Sequence, residues 1–242
     1  MKVTDLIANV LKKNNINYVF GLQGGAVVHI FDSFAKNKID ITYTHHEESA
    51  ALAAVANAKT TNQTGCAVVT TGPGTTNAIT GLLAAWQDSV PVIFISGQAR
   101  STHTSYNKKV RQVGTQEVNI CDIVRPITKY TKFIDNKKNV FKEITKALKI
   151  AKSGRPGPVW LDLALEIQWQ DIKIDKYKIK YIEKEKHINV AKTTKEAIKK
   201  INYSKKPLFV IGAGVKSAGL KVSELKKFFL KNKIPFVLTW NT

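Results

Sequence analysis

The chain has 242 residues, 43% of them apolar, and its 38 Lys and Arg against 18 Asp and Glu give a net charge of +20. That apolar share supports a buried core and excludes a disordered or low-complexity chain, and the length suits one to two domains. No run approaches the ~20 apolar residues of a membrane span, residues 1–13 lack the apolar stretch of a signal peptide, and two cysteines cannot form a disulfide scaffold.

Val3, Leu6, Ile7, Val10 and Leu11 recur at helical spacing, with Thr4 as the expected N-cap. Tyr18-Val19-Phe20 is a short apolar run, followed by Gly21 and the pair Gly24-Gly25. The pattern predicts a helix over 26–36, a strand over 40–43 and an Ala-rich helix over 47–59. Cys66 to Thr71 reads as a strand broken by Gly72-Pro73-Gly74, with a helix over 75–86 after it. Pro91 to Ser96 is a buried strand that ends at Gly97-Gln98, and 99–118 is polar and irregular. A strand over 129–134, a helix over 140–151 and a strand over 158–163 follow. Strands alternating with helices predict an α/β fold, a parallel sheet covered by helices on both faces. Continuous apolar strands fit burial on both sides.

Composition shifts near Gln168. Residues 169–190 read as an exposed Lys-rich linker with room for an edge strand between Asp171 and His187. A helix over 194–201, a strand over 208–211, a turn at Gly212 and Gly214, a helix over 217–230 and a strand over 236–240 follow. About fifty residues are too few to bury both faces of their own sheet. This stretch therefore reads as an incomplete Rossmann-like α/β piece, the opening of a second domain. Residues 1–120 carry a net charge of +3 and residues 121–242 a net of +17. The excess is scattered Lys rather than clustered Arg interleaved with aromatics, so a solvated surface is expected and no nucleic-acid partner. No membrane partner is expected either. Cys66 and Cys121 sit in apolar surroundings and are expected to be buried thiols of a cytoplasmic protein.

Two segments carry chemistry. His45-His46-Glu47-Glu48 opens an Ala-rich helix, where acids complement the helix dipole, so capping is the plain reading of Glu47. Adjacent His residues do not share a helix face and no third ligand follows, so no metal ligand is assigned. Thr70-Thr71-Gly72-Pro73-Gly74-Thr75-Thr76-Asn77 joins a buried strand to a helix. Its glycines permit close approach of backbone or ligand, and the helix start offers free N–H donors. No Lys follows as in a P-loop, and a tight turn is the alternative reading.

The order of the pieces says more. Phe20-Gly21-Leu22-Gln23-Gly24-Gly25 comes first, then His46-Glu47, then Gly72 to Asn77. Asp88-Ser89-Val90-Pro91, Gly97-Gln98, Gln116-Glu117, Arg125-Pro126 and Gly154 to Val159 follow. Over about 1–168 this resembles the N-terminal, pyrimidine-binding domain of thiamine-diphosphate enzymes of the acetolactate synthase type. The rest resembles, more weakly, the start of that family's middle domain. The resemblance thus divides the chain into a pyrimidine-binding domain (1–168), the linker (169–190) and a truncated start of the middle domain (191–242).

The resemblance implies the thiamine-diphosphate-binding fold, thiamine diphosphate as cofactor, and a 2-keto acid such as pyruvate as substrate. It implies decarboxylation followed by ligation of the product to a second carbonyl. In that family one Glu hydrogen-bonds N1′ of the aminopyrimidine and favours its imino tautomer; Glu47 holds that position and Glu48 is given no role. Gly24 and Gly25 match a turn beside the reactive ring, and Gly72, Pro73, Gly74 and Asn77 match the loop and helix start near the cofactor. Gln116 matches a Gln that reaches the substrate. Gln23, Thr115 and Leu165 stand where acetolactate synthases usually have Pro, Phe and Lys. These changes leave open another 2-keto acid decarboxylase or lyase of the family, and a non-catalytic pyrimidine-type partner domain is a further alternative.

The family holds the diphosphate and Mg²⁺ on a Gly-Asp-Gly segment followed by Asn-Asn, and Gly-Asp-Gly does not occur here. The chain is therefore expected to supply half of a site, with the Mg²⁺ ligands in a missing C-terminal domain, and to be inactive alone. Its expected partner is a diphosphate-binding domain within a homodimer or tetramer. Gly212-Ala213-Gly214 lacks the third Gly of a dinucleotide fingerprint; the family's middle domain binds FAD in some members and nothing in others.

Overall fold

Helix α1 (Val3–Lys13) forms where the apolar spacing requires it, and Val3, Leu6, Ile7, Val10 and Leu11 are all buried. Its N-cap is Lys2, not Thr4. The Lys2 N–H donates to the Asp5 carboxylate at 3.2 Å. Thr4 instead lies inside the first turn, fully buried, donating to the Gln168 carbonyl at 3.2 Å with Ser33 Oγ at 2.6 Å. Tertiary partners have claimed a residue that local capping rules would leave at the surface.

The computed structural model describes residues 1–106, 108–173 and 190–240. After α1 come β1 (Tyr18–Gly21), α2 (Val28–Lys36), β2 (Asp40–Tyr43), α3 (Glu47–Thr61) and β3 (Gly65–Val69). Then follow α4 (Pro73–Asn77), α5 (Ile79–Gln87), β4 (Val92–Gln98), α6 (Ile120–Val124) and β5 (Tyr130–Ile134). Helix α7 (Lys137–Lys152), β6 (Val159–Ala164) and α8 (Leu165–Gln168) complete this run. The single helix expected over 75–86 is two, joined at Ala78, and α6 and α8 were not anticipated.

The six strands form one parallel sheet in the order β2-β1-β3-β4-β6-β5. Successive side chains on the central strands point to opposite faces. Cys66, Val68, Ile93, Ile95, Val159, Leu161 and Leu163 pack with α1, α2 and α7. Ala67, Val69, Val92, Phe94 and Trp160 pack with α3, α5 and α6 on the other face. Both faces are covered, which is why these strands read as continuous apolar runs. Cys66 and Cys121 are buried free thiols; burial raises both, Cys121 up to about 12.

Five of the six turns that lead from a helix into a strand of this sheet hold one residue at positive φ: Asn15, Lys38, Asn62, Ser89 and Gly154. All lie at the amino ends of the strands.

The chain divides into two compact units, Met1–Tyr177 and Lys178–Thr242. Of the expected linker, 174–189 lies outside the described residues, as does most of its edge strand. Its described start is tied to the N-terminus: Asp171 bridges Lys2, and Val3 N–H donates to the Gln170 carbonyl at 3.0 Å. In the second unit α9 (Val190–Tyr203), β7 (Phe209–Ile211), α10 (Gly214–Ser217), α11 (Val222–Asn232) and β8 (Phe236–Leu238) are described. Strands β7 and β8 pair in parallel. Phe209, Phe228, Phe229 and Phe236 form its aromatic cluster. No helix among the described residues is long and apolar enough to cross a membrane.

Candidate active site

The chain reverses direction across the sheet between β1 and β3. From β1 it runs outward to β2 by way of α2 on one face, and from β3 it runs the other way to β4 by way of α5 on the opposite face. Such a switch point leaves a crevice beyond the carboxyl ends of the strands, where ligands of open α/β sheets bind. Strands β1 and β3 pair only at Phe20–Ala67 and Gly21–Val68. A Cβ on Gly21 would stand 2.4 Å from the Val68 carbonyl and 2.6 Å from the Phe31 ring, so only glycine allows this approach.

The segment after each of three strands brings one piece to the crevice. After β1, Gly24 lies against Thr70, where a Cβ would come within 2.5 Å of the Thr70 side chain. The Ala26 N–H donates to Thr70 Oγ1 at 3.3 Å. After β3, Gly74 also lies against Thr70; its Cβ would be 2.8 Å from Thr70 Cγ2 and 3.2 Å from Glu47 Oε1. After β2, α3 opens with Glu47. The capping expected of Glu47 is supplied by its neighbour instead. His46 is the N-cap, and its Nδ1 accepts the Glu48 N–H at 3.2 Å. The Glu47 side chain points inward, 8% exposed, and its Oε2 accepts from Asn77 Nδ2 at 3.0 Å.

Gly24 and Gly74 thus meet on Thr70, with Glu47 and its partner Asn77 beside Gly74; the sequence alone does not single out Thr70. Its one signal was a polar side chain at the carboxyl end of a buried strand. Gly72 stands just behind, at φ +69°, with the Gln116 carbonyl 2.6 Å from where its Cβ would be. Gln116 is exposed and reaches this group through its backbone. Pro73 is exposed at the start of α4, and Gly25 is exposed with open space at its Cβ position. Of the departures, Gln23 donates to the Tyr43 hydroxyl at 3.1 Å, Thr115 is exposed, and Leu165 is half-buried at the start of α8.

Behind the crevice, Asp162 on β6 is fully buried. Burial pushes its carboxyl up to about 6 from 3.8, against the pull of hydrogen bonds from Ser96, Gln98 and Tyr106. The sign follows from linkage. Between about pH 4 and 6 the folded chain holds a proton here that the unfolded chain has lost, so stability from this group falls as pH rises. The decline is roughly 3 kcal/mol across that window and is flat above it. Urea denaturation at several pH values should show this slope in the wild-type chain, minus the Asp162→Asn curve; parallel curves would refute it.

Comparison with known proteins gives a consistent picture. Residues 1–123 match the family "Thiamine pyrophosphate enzyme, N-terminal TPP binding domain". The chain is 33% identical to the acetolactate synthase large subunit of Haemophilus influenzae, over 88% of this chain and 37% of that protein. It is 32% identical to a probable acetolactate synthase large subunit of Methanocaldococcus jannaschii, over 99% of this chain and 40% of that protein. With the acetolactate synthase isozyme 2 large subunit of Escherichia coli it shares 30% identity, over 96% of this chain and 41% of that protein. The chain thus spans about two fifths of the length of these curated relatives.

Proposed function

The chain belongs to the thiamine pyrophosphate enzymes, and from that premise we propose that it supplies the aminopyrimidine half of an acetolactate synthase-like active site. The reaction proposed is decarboxylation of a 2-keto acid such as pyruvate, with ligation of the product to a second carbonyl. The observation that carries the reading is the setting of Glu47. One carboxylate oxygen is held by the Asn77 amide, and the other faces the Gly74 backbone. Gly24 and Gly74 keep side chains out of the space around Thr70. A carboxylate so held suits a ring nitrogen that must hold and release a proton, and this donor set fits N1′ of an aminopyrimidine.

When bound, the cofactor supplies a carbon nucleophile and an electron sink. Glu47 holds a proton at the ring nitrogen, Asn77 orients the carboxylate, and Gly24 and Gly74 let the ring approach. Gly72 and Gln116 form the rim toward the substrate. The diphosphate and its Mg²⁺ are assigned, on the family's pattern, to a diphosphate-binding domain in a homodimer or tetramer. A cytoplasmic location accords with two buried free thiols. FAD is left out of the reading. A Cβ on Gly212 would make only ordinary contacts with Thr239, and Gly214 opens a helix of four residues.

The test is a titration of the chain with thiamine diphosphate, read from the Asn77 side-chain amide by NMR, with a pyruvate decarboxylation assay beside it. A saturable shift is expected, lost in Gly74→Val, whose side chain would reach Glu47 Oε1. No carbon dioxide release is expected from the chain alone. Absence of a saturable shift at millimolar concentrations would overturn the pyrimidine-site assignment, and turnover by the chain alone would overturn the half-site.

A further inference from the structure

Asp162 pairs in register with Ser96 across β4 and β6. Three neutral donors converge on it: Ser96 Oγ at 2.6 Å on Oδ1, and Gln98 Nε2 at 2.9 Å and the Tyr106 hydroxyl at 3.2 Å on Oδ2. Ser96 is itself held by the Trp160 indole N–H at 2.8 Å. The titratable groups facing Asp162 are Tyr106 and Glu117 from the segment after β4 and Cys121 from α6; β4 contributes only Ser96 and Gln98.

Gln98 carries the contact onward. Its amide nitrogen donates to Asp162 and, at 2.8 Å, to the Val118 carbonyl. Its oxygen accepts from Thr71 Oγ1 at 2.7 Å and from the Ala99 N–H at 2.9 Å. Both N–H groups and both lone pairs are committed, so this amide has one orientation. Thr71 precedes Gly72, and its hydroxyl also lies 3.3 Å from the Gln116 carbonyl. A path of hydrogen bonds therefore runs from β6 through β4 to the turn after β3 and to 116–118.

We propose that Asp162 is a positioning residue: acting through Gln98, it sets where the Thr71–Gly72 turn and the 116–118 segment stand at the rim of the assigned site. The functional meaning rests on the reading of Gly72 and Gln116 given above. A carboxylate is required because three donors meet it. An Asn has one acceptor atom and would turn its own NH2 toward one of them. Protonation forces a similar conflict. The acid proton cannot go to the Gln98 amide nitrogen, so Ser96 or Tyr106 must reverse its hydrogen bond.

The experiment is amide hydrogen exchange by NMR on the 242-residue chain, without thiamine diphosphate, for wild type, Asp162→Asn, Gln98→Met and the double variant. In Asp162→Asn at pH 7, the five backbone N–H groups that donate to Gln98 or to these two segments, those of Thr75, Thr76, Ala99, Val113 and Ile120, are expected to exchange at least ~10-fold faster, while α1 and α2 stay protected. If Asp162 acts through Gln98, the double variant exchanges no faster than Gln98→Met alone. The Trp160 indole N–H gives a second measurement should Asp162→Asn fold poorly. Its resonance in wild type should shift through about pH 6, together with faster exchange of the same five amides at acid pH once intrinsic rates are removed. Unchanged exchange in Asp162→Asn, additive effects in the double variant, or no wild-type change at these amides through pH 6 would overturn the proposal. Because no cofactor is present, these outcomes stand apart from the thiamine titration: loosening here with no saturable shift there overturns the site reading alone.

Discussion

Glu47→Gln is expected to slow exchange of the thiazolium C2 proton of thiamine diphosphate by about 10²–10⁴-fold, the usual contribution of one positioned acid–base group. The measurement is deuterium exchange into the cofactor, with the chain assembled with a diphosphate-binding domain. Gln has the same shape, and its oxygen can still accept from Asn77, so the fold and the cofactor affinity should change little. What it lacks is an oxygen that can hold and give up a proton at the ring nitrogen. Exchange at the wild-type rate in this variant would remove Glu47 from the chemistry. Glu47→Ala is a poorer test, because it also leaves the Asn77 amide without its acceptor.

Gly97→Ala should have the largest effect on the fold. A Cβ there would stand 1.7 Å from the Ala26 carbonyl oxygen and 2.4 Å from its carbon. Both are backbone atoms, so no rotamer change relieves the clash. The same carbonyl accepts from Gln168 Nε2 at 2.8 Å. The cost is expected at or above the upper end of the ~1–3 kcal/mol typical of overpacked cores, read as a lower urea midpoint. Gly24 lies two residues from Ala26, so the thiamine titration should weaken further than stability alone explains. A wild-type midpoint would mean that the segment after β1 does not rest on β4.

The sheet was readable from the sequence because its strands announce themselves. Cys66 to Val69 and Val92 to Phe94 are apolar at every position, and glycines end them where chemistry begins. The strand order was not readable, since alternation of strands and helices implies parallel pairing but does not say which neighbours pair. Local rules failed where a distant partner decided. Thr4 resembles a cap until Ser33, 29 residues away, takes its hydroxyl. The break at Ala78 is invisible because apolar spacing continues across it. At the site, Glu47 and the Gly72–Asn77 segment could be picked out, but their contact through Asn77 spans 30 residues. Thr70 joins two glycines that say nothing in sequence about facing each other. Asp162 looked like one polar letter in an apolar strand, and its partners Ser96 and Gln98 lie 66 and 64 residues away.

The two rims of the sheet carry different burdens. Every residue assigned to the crevice follows the carboxyl end of a strand. The five positive-φ residues of the helix-to-strand turns stand at the opposite rim, and for Lys38 and Ser89 that conformation costs roughly 1–2 kcal/mol each relative to ordinary backbone. The strained helix-to-strand turns and the residues assigned to the chemistry therefore lie at opposite ends of the same strands. Substitutions that ease the helix-to-strand turns are free to accumulate without approaching Glu47, while the carboxyl rim can change what it binds without touching the turns. A lineage using this scaffold can adapt to a new temperature and to a new ligand by separate routes.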